Sequence, residues 1–501
     1  MANTVGARNV VKRNAYFDSV VLMSIAGRLA RLPGIESASL MMATPANKDL
    51  LREAGLLGAE GEAAGPNDLV VAIRGTEESA PDAFAAAEEA LGESRPAVAS
   101  VEASRPRSLF EAAAAGRPNL ALISTPGAYA AGEALKALKL GMHVFCFSDN
   151  VSVEQEVMLK HEAGRRGLLV MGPDCGTAIV NGVPLGFANE VRRGDIGLIG
   201  ASGTGLQMVS CLVDRAGAGV SHMLGVGGRD LSEQVGGLSM LAALEALATD
   251  PGTRVIVLVS KPPAPAVAQR VLAAAAACGK PVLVNFISAA VEAAGFEVAA
   301  TLEEAAARAV QLSSGRLPPM SEEPPPPPPA GPRRFIRGLY SGGTFAYEAR
   351  ALLSRLGGGV ADHVGYSPGR PLALPDGHIV IDLGEDEFTV GRPHPMIDPS
   401  LRLEFLQAAG RDPSTAVVLL DVVIGHGAAS DPAGALAPAI AKATSQPAPA
   451  LVVAFVCGTD RDPQGRTAQE QRLAEAGALV VPSSTAAARV ALEVAEAAKV
   501  R

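Results

Sequence analysis

The sequence predicts an α/β protein made of several doubly wound parallel sheets. Short, continuously apolar runs such as NLALIST (119–125) and RVIVLVS (254–260) alternate with segments of helical pattern. Strands as apolar as these are buried on both faces, which is typical of parallel sheets covered by helices. A strand, a small-residue turn and a helix that begin near residue 196 recur from residue 334, so we expect two related domains.

The predicted domain boundaries follow changes in this pattern along the 501 residues. Residues 1–115 are expected to form a small α/β domain with the order helix, strand, helix, strand, helix. Two further domains are expected at 116–192 and 193–315. A stiff linker with six consecutive prolines covers 316–333 and leads into a last domain at 334–501.

The composition excludes several classes of function. The net charge of −9 and the isoelectric point near 5.5 argue against nucleic acid or an anionic membrane as the main partner, because both require a basic surface. No run of ~18 apolar residues is present, so we expect no membrane span. The five cysteines are scattered without a CxxC pair, so we expect neither a metal site nor a disulfide framework. We therefore expect a cytoplasmic protein.

The first candidate site is the segment GASGTG, in which Ser202, Gly203 and Thr204 follow an apolar strand and begin a helix. Backbone N–H groups at a helix N-terminus lack partners and carry part of the positive helix dipole, so they suit an anion such as phosphate. The alternative is that a hydroxyl of this turn only caps the helix. The same pattern recurs in the last domain, as Ser341, Gly342, Gly343 and Thr344.

Neither turn matches a nucleotide-binding motif. No Gly-Lys-Ser/Thr follows, as a P-loop requires, and no G-x-G-x-x-G opens the first strand-helix unit with an acidic partner after it. Two helix N-termini that face one ligand hold a phosphate better than one. Because the turn recurs, phosphate binding and helix capping are both kept as interpretations of it.

Three other segments carry candidate residues. The GPDCG turn (172–176) is rigid and presents Asp174 or Cys175, although a lone cysteine there is more often buried than nucleophilic. GVGG (225–228) is either a plain sharp turn or part of the same site. Lys261 ends a strand at the edge where doubly wound folds bind ligands, so it is either a phosphate counter-charge or a solvated loop lysine.

Two histidines are further candidates. His426 in IGHGA is a potential phosphoacceptor, although a plain loop residue is the preferred interpretation. His394 and Asp398 in GRPHPMIDP are candidates for positioning a substrate, and a structural turn pinned by two prolines is the alternative.

The motifs in this order resemble a known enzyme. GPDCG, GASGTG and GVGG are similar to the GPNC, SRSGT and GIGG segments of the succinyl-CoA synthetase α subunit, and YSGGTFAYEA with DVVIGHGAASDP is similar to the carboxy-terminal domain of its β subunit. With both on one chain, together with MMATPANKDLL and GRPHPMID, the sequence is identified as a member of the FdrA family. The resemblance covers most of the chain.

The resemblance implies a fold and a role for each segment. Residues 116–192 become a CoA-binding-like Rossmann domain, and 193–315 and 334–501 become ligase-like flavodoxin domains. In the synthetase, two such helices point at the phosphate of a phosphohistidine, so both turns are implied to bind phosphate. The other candidates are then assigned to catalysis (Lys261, Asp174 and His394) or to substrate binding (Gly172, Pro173, Cys175, Gly176, Gly227, Gly228, Asp398 and His426).

The sequence also departs from that enzyme. Residues 1–30 contain no counterpart of the CoA-binding glycine loop, and residues 279–300 contain no histidine. An acid that would orient the histidine is replaced by Lys261, and no ATP-grasp domain is evident. The machinery that activates an acid with ATP is therefore largely missing, whereas the phosphate-binding turns remain.

These departures favour one function among three. FdrA-type proteins are named as acyl-CoA synthetases by homology, and the family is also linked to oxamate carbamoyltransferase, which interconverts oxalurate plus phosphate with oxamate plus carbamoyl phosphate. We expect a subunit of the second enzyme, which requires no cofactor; CoA binding is disfavoured but left open. Other subunits or further copies of the chain are expected partners. The alternatives are an acyl-CoA synthetase and a non-catalytic scaffold that senses an anion.

Overall fold

The computed structural model describes residues 7–15, 17, 19–93, 106–289, 291–292, 294–318, 333–357, 359–366, 372–389 and 393–499. Most of the linker predicted at 316–333 lies outside these residues. The chain divides into two compact units, which are described separately below. The N-terminal unit contains the described residues before 106 and the segment Gly384–Asp398; the main unit contains the rest.

The N-terminal unit is built around a three-stranded antiparallel sheet, in which the central strand is the last of the three in sequence. Alternate residues of that strand face opposite sides of the sheet. Leu69, Val71 and Ile73 pack against the helices 19–29 and 80–93, and Val70 and Ala72 point to the other side, where they pack with Leu51 and Leu56. The elements are β1 (Arg8–Lys12), α1 (Ser19–Leu29), β2 (Ile35–Met42), α2 (Pro45–Glu53), α3 (Ala59–Ala63), β3 (Leu69–Gly75) and α4 (Ala80–Glu93). The predicted order is present, but the sequence interpretation omitted β1.

The main unit begins with a small parallel sheet in the order β4-β5-β6. Its elements are α5 (Leu109–Gly116), β4 (Leu120–Ile123), α6 (Gly127–Lys139), β5 (His143–Cys146), α7 (Val153–Arg165) and β6 (Val170–Met171). The buried side of α6 consists largely of alanine, which allows the helix to lie close to the sheet.

A seven-stranded sheet follows, in the order β13-β12-β11-β9-β10-β7-β8, and its first five strands are parallel. Its strands are β7 (Thr177–Val180), β8 (Val183–Gly186), β9 (Arg193–Ala201), β10 (Val220–Gly225), β11 (Val255–Ser260), β12 (Val282–Phe286) and β13 (Glu297–Val298). Its helices are α8 (Gly203–Arg215), α9 (Leu238–Thr249), α10 (Pro265–Ala277) and α11 (Leu302–Ser314). The strands of 177–186, which the predicted boundaries place in 116–192, are hydrogen-bonded into this sheet.

The last sheet has six parallel strands in the order β15-β16-β14-β17-β18-β19. Its strands are β14 (Phe335–Tyr340), β15 (Val360–Ala361), β16 (His378–Asp382), β17 (Thr415–Val423), β18 (Leu451–Cys457) and β19 (Leu479–Val480). The helices are α12 (Gly343–Leu353), α13 (Asp386–Thr389, in the N-terminal unit), α14 (Ser400–Arg411), α15 (Pro432–Thr444), α16 (Arg466–Glu475) and α17 (Ser484–Lys499). A short 3-10 helix covers Ser354–Leu356.

The doubly wound class predicted from the sequence is therefore confirmed for the main unit. β9 lies between β10 and β11, and β14 lies between β16 and β17. The strands that follow each of these two strands in the chain are therefore added first on one side of it and then on the other. Such a reversal opens a crevice at the carboxyl ends of the strands, which is where ligands bind in this class of fold. The two small-residue turns follow β9 and β14 directly. Among the described residues, no helix has the length and apolar character that crossing a membrane requires.

A buried carboxylate joins three helices of the main unit. Glu348 on α12 accepts hydrogen bonds from the backbone N–H of Leu302 at the start of α11 (2.8 Å) and from the hydroxyls of Ser484 and Thr485 at the start of α17 (2.9 Å for Thr485). Its side chain is 1% exposed, and burial raises the pKa of its carboxyl above the ordinary value. Both helix N-termini thus share one acceptor.

Glu348→Ala should destabilise the main unit by about 3 kcal/mol, because three buried donors lose their acceptor. Thermal unfolding measures the effect, and Glu496→Ala on the exposed face of α17 is the control. Because folding raises the pKa of Glu348, its contribution to stability is complete below the pKa of the unfolded state and is lost as the pH rises through the pKa of the folded state. Glu348→Gln, which stays neutral, should therefore lose less stability than the wild type as the pH rises above the ordinary pKa of a glutamate. Equal pH dependence of the two proteins would contradict this account.

Candidate functional site

The two small-residue turns of the main unit are in direct contact. The hydroxyl Oγ of Ser202, before α8, lies 2.6 Å from the hydroxyl Oγ1 of Thr344, in the first turn of α12. Both residues are buried. The first turns of the two helices therefore lie against each other.

Glycine makes this contact possible. A Cβ on Gly205 would lie 2.3 Å from Ser202 Oγ and 2.9 Å from Thr344 Cγ2, and a Cβ on Gly342 would lie 2.8 Å from the hydroxyl oxygen of Thr204. Real side chains do not approach as closely as this, so larger residues would push the turns apart. The small residues of the motif therefore serve the contact between the helices as well as access for a ligand.

The start of α8 has room for a ligand. A Cβ on Gly203 would meet only the methyl carbon Cγ2 of Thr177, at an ordinary contact distance of 3.6 Å. The hydroxyl of Thr177 is buried and has no hydrogen-bond partner among the described residues. Ser202 takes the N-cap position of α8 without a side-chain capping bond, because its hydroxyl pairs with Thr344 instead. The capping alternative from the sequence therefore does not account for Ser202.

The second turn is held by buried charges. The backbone N–H and the hydroxyl of Ser341 both donate to the carboxylate of Asp421, at 2.8 and 2.7 Å. Arg402 donates to the same carboxylate at 2.9 Å, and burial lowers the pKa of its guanidinium. Ser341, predicted as a phosphate ligand, thus directs its donors at the protein itself and fixes the geometry of the turn.

Lys261 lies beside both turns. It follows β11, whose last residue Ser260 pairs with Ala201, the residue before Ser202. Its ammonium nitrogen Nζ is 3.1 Å from the point where a Cβ on Gly343 would lie, and 4.6 Å from the centre of the Tyr347 ring. A cation in this place can neutralise an anion at either helix N-terminus.

An acid that the sequence interpretation missed lies at the same point. Asp382, at the carboxyl end of β16, places its Oδ2 2.2 Å from the Cβ position of Gly343, and its side chain is buried. Asp421 was also missed. Both residues interrupt apolar parallel strands, in HIVID and VVLLD, and an acid near the carboxyl end of such a strand is the signal that would have identified them.

The turn 172–176 and the loop 225–228 pack against each other. Gly227 has a φ of 89°, and a Cβ there would lie 2.4 Å from the carbonyl oxygen of Pro173. Asp174 is exposed, whereas Cys175 is buried and its pKa is raised to about 12 by burial. A thiol of such high pKa is a poor nucleophile, so the structure favours a packing role for Cys175. The other predicted residues of these loops are Gly172, Gly176 and Gly228.

A buried lysine holds the second of these loops. Lys160 donates to Glu156 and Asp230 at 2.7 Å and to the carbonyl oxygen of Val226 at 3.1 Å. Asp230 in turn accepts the backbone N–H groups of Ser239 and Met240 at the start of α9. The N-terminus of α9 is thus occupied by a carboxylate of the protein.

His426 lies in a polar junction within the main unit. Its Nε2 is 2.7 Å from the Oε1 of Glu190, and the two side chains are 43% and 41% exposed. Asn189 donates to the carbonyl of Ile424 at 2.7 Å and to Asp462 at 2.9 Å. The histidine therefore participates in the contact between the segment after β8 and the loop after β17.

His394 and Asp398 belong to the N-terminal unit, whereas the two turns belong to the main unit. The Nδ1 of His394 accepts the backbone N–H of Met396 at 3.2 Å, and Oδ2 of Asp398 lies 3.0 Å from the Cβ position of Gly27. Both side chains are tied into local structure. Gly391 and Arg392 of the same motif lie outside the described residues.

A separate cavity of about 350 Å³ lies at the amino ends of β16 and β17. Arg337 of β14 contacts its rim through the carbonyl of Pro375 and the carboxylate of Asp412. Because ligands bind at the carboxyl ends of parallel strands, this cavity is a weaker candidate than the paired turns. Its lining residues are Leu372, Leu374, Pro375, Asp376, Ala408, Arg411, Asp412 and Ser414.

Three family models match the chain. A CoA binding domain matches residues 191–288, a CoA-ligase domain matches residues 339–494, and the heavy metal-associated domain of AllF matches residues 5–106. The first two contain the turns after β9 and β14. The match at 191–288 begins at the end of the 116–192 segment to which the sequence interpretation assigned the CoA-binding-like domain, and shares only its last two residues.

The residues of the third match do not fit a heavy metal. Residues 5–106 contain neither cysteine nor histidine, the soft and borderline ligands that such ions select. Within the described part of the chain, no cluster of three or more His, Cys, Asp or Glu side chains is suited to a metal ion. We derive no metal chemistry for this domain.

Two known proteins are similar to parts of this chain. The α subunit of an ADP-forming succinate–CoA ligase from Methanothermobacter thermautotrophicus is 29% identical over 146 residues, which are 28% of this chain and 48% of that subunit. A solved acetyl-coenzyme A synthetase 1 from Ca. Korarchaeum cryptofilum is 16% identical, covers 76% of this chain and 82% of its own, and aligns with a TM-score of 0.32, which is too low to support a conclusion.

A protein from Escherichia coli (strain K12), the uncharacterized protein YahF, is 42% identical over 496 residues, which cover 95% of this chain and 96% of YahF. The aligned region therefore spans nearly the whole of both chains. This protein therefore belongs to the FdrA family, which joins succinyl-CoA synthetase-like CoA-binding and CoA-ligase domains in one chain.

Proposed function

We propose that this chain is a subunit of an oxamate carbamoyltransferase and handles carbamoyl phosphate and phosphate at its paired turns. The observation that carries the proposal is the 2.6 Å contact between Ser202 and Thr344, which unites two helix N-termini beside Lys261. Each helix is longer than ten residues, so each contributes a helix dipole at the turn.

The arrangement suits a reaction in which phosphate leaves an acyl carbon. Backbone N–H groups in the first turn of α8 are oriented before the ligand arrives, and they stabilise the charge that develops on the departing phosphate. The ammonium group of Lys261 adds a full positive charge next to these groups. Fixed donors of this kind require little reorganisation during the reaction, which is the main source of catalysis by electrostatics.

The features that are missing from the sequence agree with this chemistry. Carbamoyl phosphate is already an activated acyl phosphate, so its use requires neither a phosphohistidine nor CoA. Residues 279–300 contain no histidine, and Cys175 near the turns is buried with a pKa of about 12. The proposal therefore includes no covalent intermediate on the protein. Further subunits complete the site in this proposal, so turnover is to be measured with the products of neighbouring genes added.

A second candidate function is acyl-CoA synthesis. The matches to a CoA binding domain and to a CoA-ligase domain favour it. It requires a phosphoacceptor, for which His426 of the IGHGA segment, with its Nε2 2.7 Å from Glu190, is the candidate. CoA binding and protein phosphorylation distinguish this candidate from the first.

Phosphate and carbamoyl phosphate should raise the melting temperature of the protein, whereas CoA should not, because only a ligand that binds the folded state stabilises it. Lys261→Ala should weaken phosphate binding by about 1.5–3 kcal/mol, since a hydrogen bond to a charged partner is lost. Calorimetric titration with inorganic phosphate measures the change. Lys136→Ala, on the exposed side of α6, is the matched control.

Saturable binding of CoA without any response to phosphate would contradict the carbamoyltransferase proposal and support the synthetase. An unchanged phosphate affinity in Lys261→Ala would instead show that this lysine lies outside the binding site.

The chain should not become phosphorylated during turnover. After incubation with labelled ATP, or with labelled phosphate and an acyl-CoA, we expect no acid-labile label on the protein, because the proposed reaction transfers the carbamoyl group directly between substrates. Mass spectrometry of peptides under neutral conditions gives the same readout site by site. A stoichiometric label on His426, lost in His426→Gln, would restore the synthetase as the better candidate.

A further inference from the structure

Lys261 differs from the other buried and half-buried lysines of the described chain in what surrounds its ammonium group. The others all donate to carboxylates or to backbone carbonyl oxygens; they are Lys12, Lys48, Lys160 and Lys280. Lys261 is half-buried as well, yet its ammonium group makes no hydrogen bond or ion pair among the described residues. It contacts the ring of Tyr347, whose centre lies 4.6 Å from Nζ. A cation without an oxygen acceptor is available to an anionic ligand.

The surroundings of this ammonium group are unfavourable for a cation when no ligand is bound. Nζ lies 3.1 Å from the Cβ position of Gly343, the first residue of α12. The N-terminus of a helix carries a partial positive charge, so it repels a cation beside it. The carboxylate of Asp382 approaches the same position and offsets part of this repulsion. The face of an aromatic ring carries partial negative charge, so the ring of Tyr347 offsets a further part.

The ring of Tyr347 is itself held in place. The guanidinium carbon of Arg350, one turn further along α12, lies 4.5 Å from the centre of the ring. Arg350 donates to the carbonyl of Val380 on β16 at 3.3 Å and pairs with Asp362 at 3.6 Å. The hydroxyl of Tyr347 makes no hydrogen bond among the described residues. The contribution of Tyr347 to its surroundings is therefore made by the ring.

The contact between Lys261 and Tyr347 joins the two large sheets of the main unit. Lys261 follows β11 of the seven-stranded sheet, and Cγ1 of Val259 in that strand lies 3.1 Å from the Cβ position of Gly205 in α8. Tyr347 is part of α12, which follows β14 of the six-stranded sheet. The lysine thus begins beside the first turn of α8, and its ammonium group ends beside the first turn of α12.

Resting on the proposed carbamoyl transfer, we propose that Tyr347 is a positioning residue, whose ring holds the ammonium group of Lys261 between the two turns before carbamoyl phosphate binds. A lysine side chain is long and flexible, and fixing it when a ligand binds costs conformational entropy. Contact with the ring restricts the side chain in the free protein, so less of this entropy is lost on binding. Tyr347 touches neither the phosphate nor the reacting carbon in this proposal and acts through Lys261.

The contact is tested first without any ligand. Reductive methylation with carbon-13 formaldehyde places methyl groups on the lysine amines, and the ring current of an aromatic face shifts the resonance of a methyl group above it upfield. We expect one such resonance in the wild type, absent from Lys261→Arg, retained in Tyr347→Phe and lost in Tyr347→Leu. A wild-type spectrum without an upfield resonance from Lys261 overturns the proposal, whatever the chain binds.

The effect on binding is tested by calorimetric titration with inorganic phosphate. Tyr347→Leu should weaken phosphate binding by about 5- to 30-fold, which is the loss of a cation–π contact of about 1–2 kcal/mol expressed as a ratio of dissociation constants. Tyr347→Phe keeps the ring and should bind phosphate as the wild type does. In a Lys261→Ala background, Tyr347→Leu should have no further effect, because the ring acts through the ammonium group. Tyr129→Leu, at an exposed tyrosine of α6, is the control.

The outcomes separate this proposal from the proposed function. If the wild type binds no phosphate, the proposed function fails, even where the methyl resonance shows the contact. If Lys261→Ala weakens phosphate binding but Tyr347→Leu does not, only the role of Tyr347 is wrong. The same holds if Tyr347→Leu weakens binding equally with and without Lys261, because a purely structural role of the ring gives that result. Tyr347→Met replaces the leucine variant in every measurement if the latter does not fold.

Discussion

The architecture of the main unit depends on the close approach of two helix N-termini, at which the hydroxyls of Ser202 and Thr344 meet at 2.6 Å. Each helix follows a strand in the middle of its sheet, and later strands of the chain lie on both sides of that strand. The approach requires glycine at positions 205 and 342, because a single Cβ at either would overlap the opposite turn or its own neighbour. The contact thereby fixes the two sheets to each other at the carboxyl ends of their strands, the edge where ligands bind in this class of fold.

The groups around this contact differ between the two turns. On the side of α12, the buried Asp421 is paired with Arg402, and Asp382 lies beside the turn, whereas at the start of α8 a Cβ on Gly203 would meet only the methyl carbon of Thr177. In the proposed reaction, the backbone N–H groups at the start of α8 and the ammonium group of Lys261 therefore bind the phosphate of carbamoyl phosphate.

Much of this fold could be predicted from the sequence, because its strands are short, apolar on both faces and separated by helices of clear period. The repeat of the turn also predicted that the two segments belong to related domains. The sequence could not show that the donors of Ser341 are directed at Asp421, because that contact joins residues 80 positions apart. Nor did the sequence pattern identify Asp382, because a single acid is common where an apolar strand ends. Its position beside Gly343 is visible only in the structure. His394 and Asp398 were predicted to position a substrate, and that role stays a prediction; the structure groups both residues with the N-terminal unit.

The claim that the two turns act on one ligand is tested most directly by a double-mutant cycle across their contact. The dissociation constant of inorganic phosphate would be measured for the wild type, Ser202→Ala, Thr344→Val and the double variant. Because the two hydroxyls touch, the effects of the single substitutions should not add, and we expect a coupling free energy of about 1 kcal/mol. Strict additivity, or phosphate binding that neither substitution changes, would contradict a shared site at the paired turns.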